Sequence, residues 1–319
     1  MIRSRLPLAL VLAAALGALP ASAQTPAATE QGSGPYPSVM EERPSLPAHV
    51  VYRPQNLAAV GKGKLGIYVF GNGACSKDGT GARNHLLEIA SRGYVAIAPG
   101  TIPPPKPAVA TPPPAPRPAT GAAPAAPTGG MPAGRLSAPT PASSLTEAID
   151  WVIAENARKD SPFYGKIATD QVAVSGWSCG GIQALDVAAD PRVKTVVVMN
   201  SGYFPDGQSP IDNLVSDKSL LAKLHGSVLY VLGGKEDIAF GNGTSDYARI
   251  TGLPAALVQI PVGHGGTYMQ PHGGVAAEVV TAWLDWKLKG DAAAGRKFTG
   301  ADCAYCRDPR FTLERKGFD

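Results

Sequence analysis

Three residue types in this chain could do chemistry together: a serine, an aspartate and a histidine. Ser178 sits in Gly176-Trp177-Ser178-Cys179-Gly180, a G-x-S-x-G pentapeptide directly after the strand-like run Gln171 to Ser175. A serine hydroxyl is a poor nucleophile unless a base takes its proton and a carboxylate orients that base. A strand-to-helix turn sharp enough to expose the hydroxyl crowds its neighbours, and glycine on both sides relieves the crowding. The helix beyond such a turn points its first N–H groups at the serine, where they could hold an oxyanion. The chemistry so implied is acyl transfer. In a chain with 37 glycines an ordinary glycine-rich strand–helix connection is the plainer alternative.

The partners should follow the serine in the order acid, then histidine, each past the end of a strand. Val228 to Leu232 (VLYVL) opens into GGKEDIAF, which carries Asp237. Ala256 to Ile260 (ALVQI) opens into PVGHGGTY, which carries His264. Glu236, Asp246 and Asp206 compete as the acid, and His272 competes as the base. His49, His85 and His225 stand before or within elements, where a base would be misplaced. His85 and Glu88 share helical spacing, but two residues do not make a metal site. Neither a metal nor a cofactor is expected.

These loops need a scaffold, and the hydrophobic pattern supplies one. Leu65 to Phe70, Tyr94 to Ala98, Gln171 to Ser175, Thr195 to Met199, Val228 to Leu232 and Ala256 to Ile260 are short apolar runs without polar alternation. Helical patterns lie between them near Ala82 to Ser91, Ser143 to Ala157 (with Ser143 or Ser144 as cap) and Gly181 to Ala189, and Val275 to Leu288 closes the series. Apolar strands alternating with helices predict an α/β domain whose mostly parallel sheet is covered on both faces.

With 319 residues, 44% of them hydrophobic, the chain can bury a sizeable core. Arg3 and Arg5, the apolar stretch Leu8 to Leu19 and Ala21-Ser22-Ala23 read as a signal peptide over residues 1–23, with a stretch too short to anchor stably in a membrane. The mature protein is therefore expected to be secreted or periplasmic. A formal charge of +4, lowered by two on loss of Arg3 and Arg5, gives no case for nucleic acid. Residues 24–44 read as a flexible leader. The proline-dense block 102–142 reads as a disordered insertion within one domain spanning 45–289, and 290–319 as a tail. Four cysteines in an exported chain suggest disulfides.

The combination resembles the α/β-hydrolase superfamily over roughly residues 50–286. Gly71-Asn72-Gly73-Ala74-Cys75, Ser178-Cys179-Gly180-Gly181, the run from Gly233 to Ala239 and the run from Gly263 to Tyr268 are similar to motifs of secreted microbial esterase-like members. The elbow is also similar to that of cutinase-like and polyester-degrading hydrolases, which usually carry methionine where this chain has Cys179. The resemblance implies an oxyanion hole from the backbone N–H groups of Cys179 and Asn72, with Gly73 as the alternative to Asn72. It also places Cys75 beside Cys179, which implies a disulfide, the alternative being a buried free thiol and an unrelated cysteine. Cys303 and Cys306 form one CxxC in the tail and are expected to make a local bridge rather than a redox or zinc site. Trp177, Tyr203 and Tyr268 flank the loops and are candidates for a substrate pocket, or equally for core. The function expected is a serine hydrolase acting on a small-molecule or polymer ester, with activity falling as His264 takes up a proton. A peptidase or amidase with the same residues, or a hydrolase-fold binding protein, are the competing readings. The ester itself and the oligomeric state are not specified by the sequence.

Overall fold

In the strand Leu65–Gly71, Ile67 and Val69 face one hydrophobic layer while Tyr68 and Phe70 face another, so the run is apolar throughout because both sides are covered. The same holds for its neighbours. The computed structural model describes residues 31–104 and 136–318. In chain order the elements are β1 (Ser38–Arg43), β2 (Leu46–Pro54), β3 (Leu65–Gly71), α1 (Arg83–Ser91), β4 (Tyr94–Pro99), β5 (Leu136–Ser137), α2 (Ser143–Ala157), β6 (Ile167–Trp177), α3 (Cys179–Val187), β7 (Val193–Met199), β8 (Ile211–Asp212), β9 (Ser227–Leu232), α4 (Phe240–Arg249), β10 (Ala255–Gln259), α5 (Gly274–Lys289) and β11 (Thr312–Lys316).

The main sheet runs β1-β2-β4-β3-β6-β7-β9-β10-β11. Strands β4, β3, β6, β7, β9 and β10 are mutually parallel, while β1, β2 and β11 pair antiparallel at the two edges. Helices α2 and α3 pack on one face and α1 and α5 on the other. This is an α/β-hydrolase fold. Its parallel strands deliver the loops after β3, β6, β7, β9 and β10 to one edge, where ligands bind in open α/β sheets. No helix among the described residues is long and apolar enough to cross a membrane.

Several expectations need correction. The leader read over 24–44 is not loose throughout: Ser38–Arg43 is an edge strand, registered Ser38 to Pro54 through Glu42 to Val50. Its polar residues had suggested a coil. Glu41, however, is buried against Arg53 with two bonds of 2.9 Å, and Ser38 donates to Leu87 O. The tail read over 290–319 adds β11 to the sheet and buries Phe298, Tyr305 and Phe311 around Trp283 of α5. The end of the proline-dense block is ordered too, since Leu136–Ser137 pairs with β8 and Thr140 is buried. Ala142, not Ser143 or Ser144, stands at the N-cap of α2, with no side-chain cap. The signal peptide expected over 1–23 and the central part of the expected insertion lie outside the described residues.

Candidate active site

Strand β6 ends at Trp177 and helix α3 begins at Cys179, so a single residue makes the turn. Ser178 takes φ 55° and ψ −122°, a conformation that non-glycine residues rarely hold. The surroundings enforce it. Ser178 N–H donates to Met199 O at 3.0 Å, and Ser201 Oγ donates to Ser178 O at 2.6 Å. A Cβ at Gly176 would lie 2.1 Å from Gly180 O, and one at Gly180 would lie 2.0 Å from Gly71 C. Glycine at both flanks is thus a steric requirement of the turn.

His264 stands over this hydroxyl. Its Nε2 is 2.9 Å from Ser178 Oγ, and its Nδ1 is 2.7 Å from Asp237 Oδ1. With the ring proton on Nδ1, that nitrogen donates to the carboxylate and Nε2 accepts from the serine. Asp237 is buried, and three further donors reach it: Ala239 N on Oδ1 at 2.9 Å, and Gly233 N and Asn200 Nδ2 on Oδ2, each at 2.8 Å. Burial pushes the carboxyl's pKa up. The bonds from His264, Ala239, Gly233 and Asn200 outweigh it and hold the group below its ordinary range, so it is an anion.

The competing residues are elsewhere. Glu236 is exposed, Asp246 is buried against Lys218, and Asp206 accepts from Lys218 N. His272 lies beside Glu88, His49 bonds Ser144 O, His85 bonds Tyr68 Oη, and His225 bonds Asp190 O.

The loop after β3 completes the arrangement. The hypothetical Cβ at Gly180 would also be 2.7 Å from Asn72 N, so this amide nitrogen lies against the start of α3. Cys179 N–H belongs to the first turn of that helix, whose donors have no intrahelical partner. Asn72 Nδ2 pins the loop by donating to Ser76 O at 3.0 Å and Pro99 O at 2.6 Å. Cys75 and Cys179 are joined by a disulfide, which ties the Asn72 loop to the residue after Ser178. Thr140 braces the same loop, donating through N and Oγ1 to Cys75 O, and is itself held by Gln183 Nε2. A second disulfide links Cys303 and Cys306.

A cavity of about 120 Å³ opens beside Ser178 and His264, walled by Ile182, Phe204, Ile211, Ile238 and Ala239. Of the three aromatics that were candidates for pocket or core, two are core. Tyr203 is 0% exposed and Tyr268 1%, because both rings fold under the loops into the core. Tyr203 Oη donates to Asp186, and Tyr268 Oη donates to Asn200 Oδ1. Trp177 is partly exposed but not part of this wall. It packs against Tyr268 with its ring tilted, and its Nε1 donates to His264 O at 3.0 Å, backing the histidine loop. Of the residues that do line the cavity, Ile238 had the clearest signal in the sequence: an isoleucine directly after Asp237, now 80% exposed at the rim. Asn200, directly after β7, lines it too and carries no local signal.

Among the described residues there is no group of three or more His, Cys, Asp or Glu placed to hold a metal ion. No curated protein matches the chain. A family model described as PETase, PET hydrolase-like, matches residues 133–204, the segment holding α2, β6, the Ser178 elbow, α3 and β7, and so agrees with the likeness to polyester-degrading hydrolases carried by that elbow.

Proposed function

We propose that the protein is an exported serine hydrolase that cleaves carboxylic esters through Ser178, His264 and Asp237. The observation that carries this reading is the continuous line of contacts from Asp237 Oδ1 through the imidazole to Ser178 Oγ, at 2.7 and 2.9 Å. The match to a PET hydrolase-like family supports the ester class. Two disulfides support a location outside the reducing cytoplasm.

In this mechanism Ser178 Oγ attacks the ester carbonyl as His264 Nε2 takes its proton. Asp237 holds the ring in the required tautomer and offsets the imidazolium charge. The oxyanion accepts from the N–H groups of Cys179 and Asn72, backbone donors that need little reorganisation. The alcohol departs with the proton from His264. Water then attacks the acyl-serine as His264 takes its proton, and that proton passes to Ser178 Oγ as the acyl–oxygen bond breaks and the acid is released.

Hydrolysis of p-nitrophenyl acetate and butyrate by the wild type and by Ser178→Ala tests the reading. Turnover by the wild type with loss in the variant supports it; equal rates remove Ser178 from the chemistry. A matching p-nitroanilide cleaved in preference to the ester would replace the esterase with an amidase.

A further inference from the structure

Asn200, already one of the donors to Asp237, has unusual surroundings. It follows β7 directly and has φ 45°, a left-handed conformation that asparagine tolerates better than most residues. It is 2% exposed, so its amide must find partners within the protein. Both ends do. Nδ2 donates to Asp237 Oδ2 at 2.8 Å and to Gly263 O at 3.2 Å, while Oδ1 accepts from Tyr268 Oη. One amide therefore touches the carboxylate that orients His264 and also the residue preceding His264 in its loop.

The direction of these bonds matters. An amide turned by 180° would aim its oxygen at the Asp237 anion and at a carbonyl, two repulsive contacts. Asp237 and Gly263 O can only accept, so they keep the NH2 group facing them, and the Tyr268 hydroxyl then donates to the amide oxygen left on the other side. Tyr268 is held in turn by Trp177 and Phe70, with ring centroids 4.8 and 6.4 Å away, and its own O accepts from His85 N.

We infer that Asn200 is a positioning residue for the Asp237–His264 pair, its amide oxygen held by the Tyr268 hydroxyl. The inference rests on the reading of Ser178, His264 and Asp237 given above. Asn200 acts in two ways. It disperses charge on the carboxylate, which keeps that carboxylate from binding the imidazolium too strongly. It also fixes the His264 loop to the Asp237 loop, which sets the distance from Nε2 to Ser178.

The test uses three variants of the full-length protein. Asn200→Gly removes the amide while suiting the left-handed backbone. Asn200→Asp replaces the donor with a second carboxyl. Tyr268→Phe keeps the ring and deletes only the hydroxyl that holds the amide oxygen. For each, kcat, KM and the pH dependence of kcat/KM are measured on p-nitrophenyl butyrate, alongside Ser178→Ala and a thermal melt. Asn200→Gly is expected to lower kcat by about tenfold or more, with KM changed less than about twofold. The acid limb of its pH profile should move to higher pH, because a less stabilised carboxylate favours the protonated imidazole. Asn200→Asp should move that limb further up, and Tyr268→Phe should move it the same way by less. A merely structural residue would lower stability without moving the limb. Folded Asn200→Gly and Tyr268→Phe proteins with wild-type kcat and pH profile would overturn the inference. If that occurs while Ser178→Ala is inactive, the esterase reading stands alone; an active Ser178→Ala would remove both.

Discussion

The disulfide between Cys75 and Cys179 closes a loop across a sequence separation of 104 residues, and replacing both cysteines with alanine opens it. In the chain-entropy picture a cross-link of that span stabilises a fold by about 4–5 kcal/mol, because it removes open conformations from the unfolded chain. That is a large share of a typical total of about 5–15 kcal/mol, and it corresponds to a fall in melting temperature on the order of 10 °C. The effect on catalysis is separable. Loss of a whole oxyanion donor costs about 10²–10³ in kcat. Here the loop keeps the Asn72 Nδ2 bonds to Ser76 and Pro99 and the Thr140 bonds to Cys75 O, so it loosens without leaving. The expected loss in kcat is nearer tenfold. The assay is a thermal melt with p-nitrophenyl butyrate kinetics well below both transitions. Alanine at Cys303 and Cys306, which are only 3 residues apart, is the control and should change both readings little. A large melting shift with kcat unchanged would reduce the bridge to a staple, and an unchanged melt would refute the reasoning altogether.

Asp237→Asn should lower kcat by about 10⁴, since the amide cannot hold the required histidine tautomer. Its NH2 group would also oppose either Gly233 N or Ala239 N, a conflict expected to cost about 1–3 kcal/mol in a denaturant titration. Asp186 titrates the other way: burial raises its carboxyl from 3.8 to about 7, against opposing bonds from Tyr203 and Val215. Between those values the folded state holds a proton that the unfolded chain has released, so stability falls as pH rises from about 4 to about 7. Asp186→Asn should flatten that part of the melting-temperature profile, and a slope equal to wild type would contradict the assignment. Gly180→Ala should give little folded protein, because the new methyl would sit 2.0 Å from Gly71 C; a soluble, fully active variant would show that the elbow has room to spare.

The parallel strands and the residues past their ends were readable because both signals are local. A strand covered on two faces must be apolar at every position, and the elbow must place glycine beside Ser178. The edges were harder. β1 mixes Ser38, Glu41 and Glu42 with apolar residues, and only its pairing with β2 and the Glu41–Arg53 contact make it a strand. β11 reads as a charged tail, TLERK, until β10 offers it a ladder. The pocket was largely hidden for the same reason. Ile182, Phe204, Ile211 and Ile238 come from four separate segments and share nothing but their place beside Ser178. Tyr203 and Tyr268 looked available because they border the right loops, yet no local pattern tells that a ring folds inward. Asn200 is recognisable only once its amide is seen between Asp237 and Gly263.

The most direct test is to trap the serine. Incubating the protein with a p-nitrophenyl alkylphosphonate and mapping the adduct by peptide mass spectrometry should place a single phosphonyl group on Ser178, with release of one equivalent of p-nitrophenol. His264→Ala should label far more slowly under the same conditions. Labelling at another residue, or equal labelling rates with and without the imidazole, would contradict a nucleophile at Ser178 activated by His264.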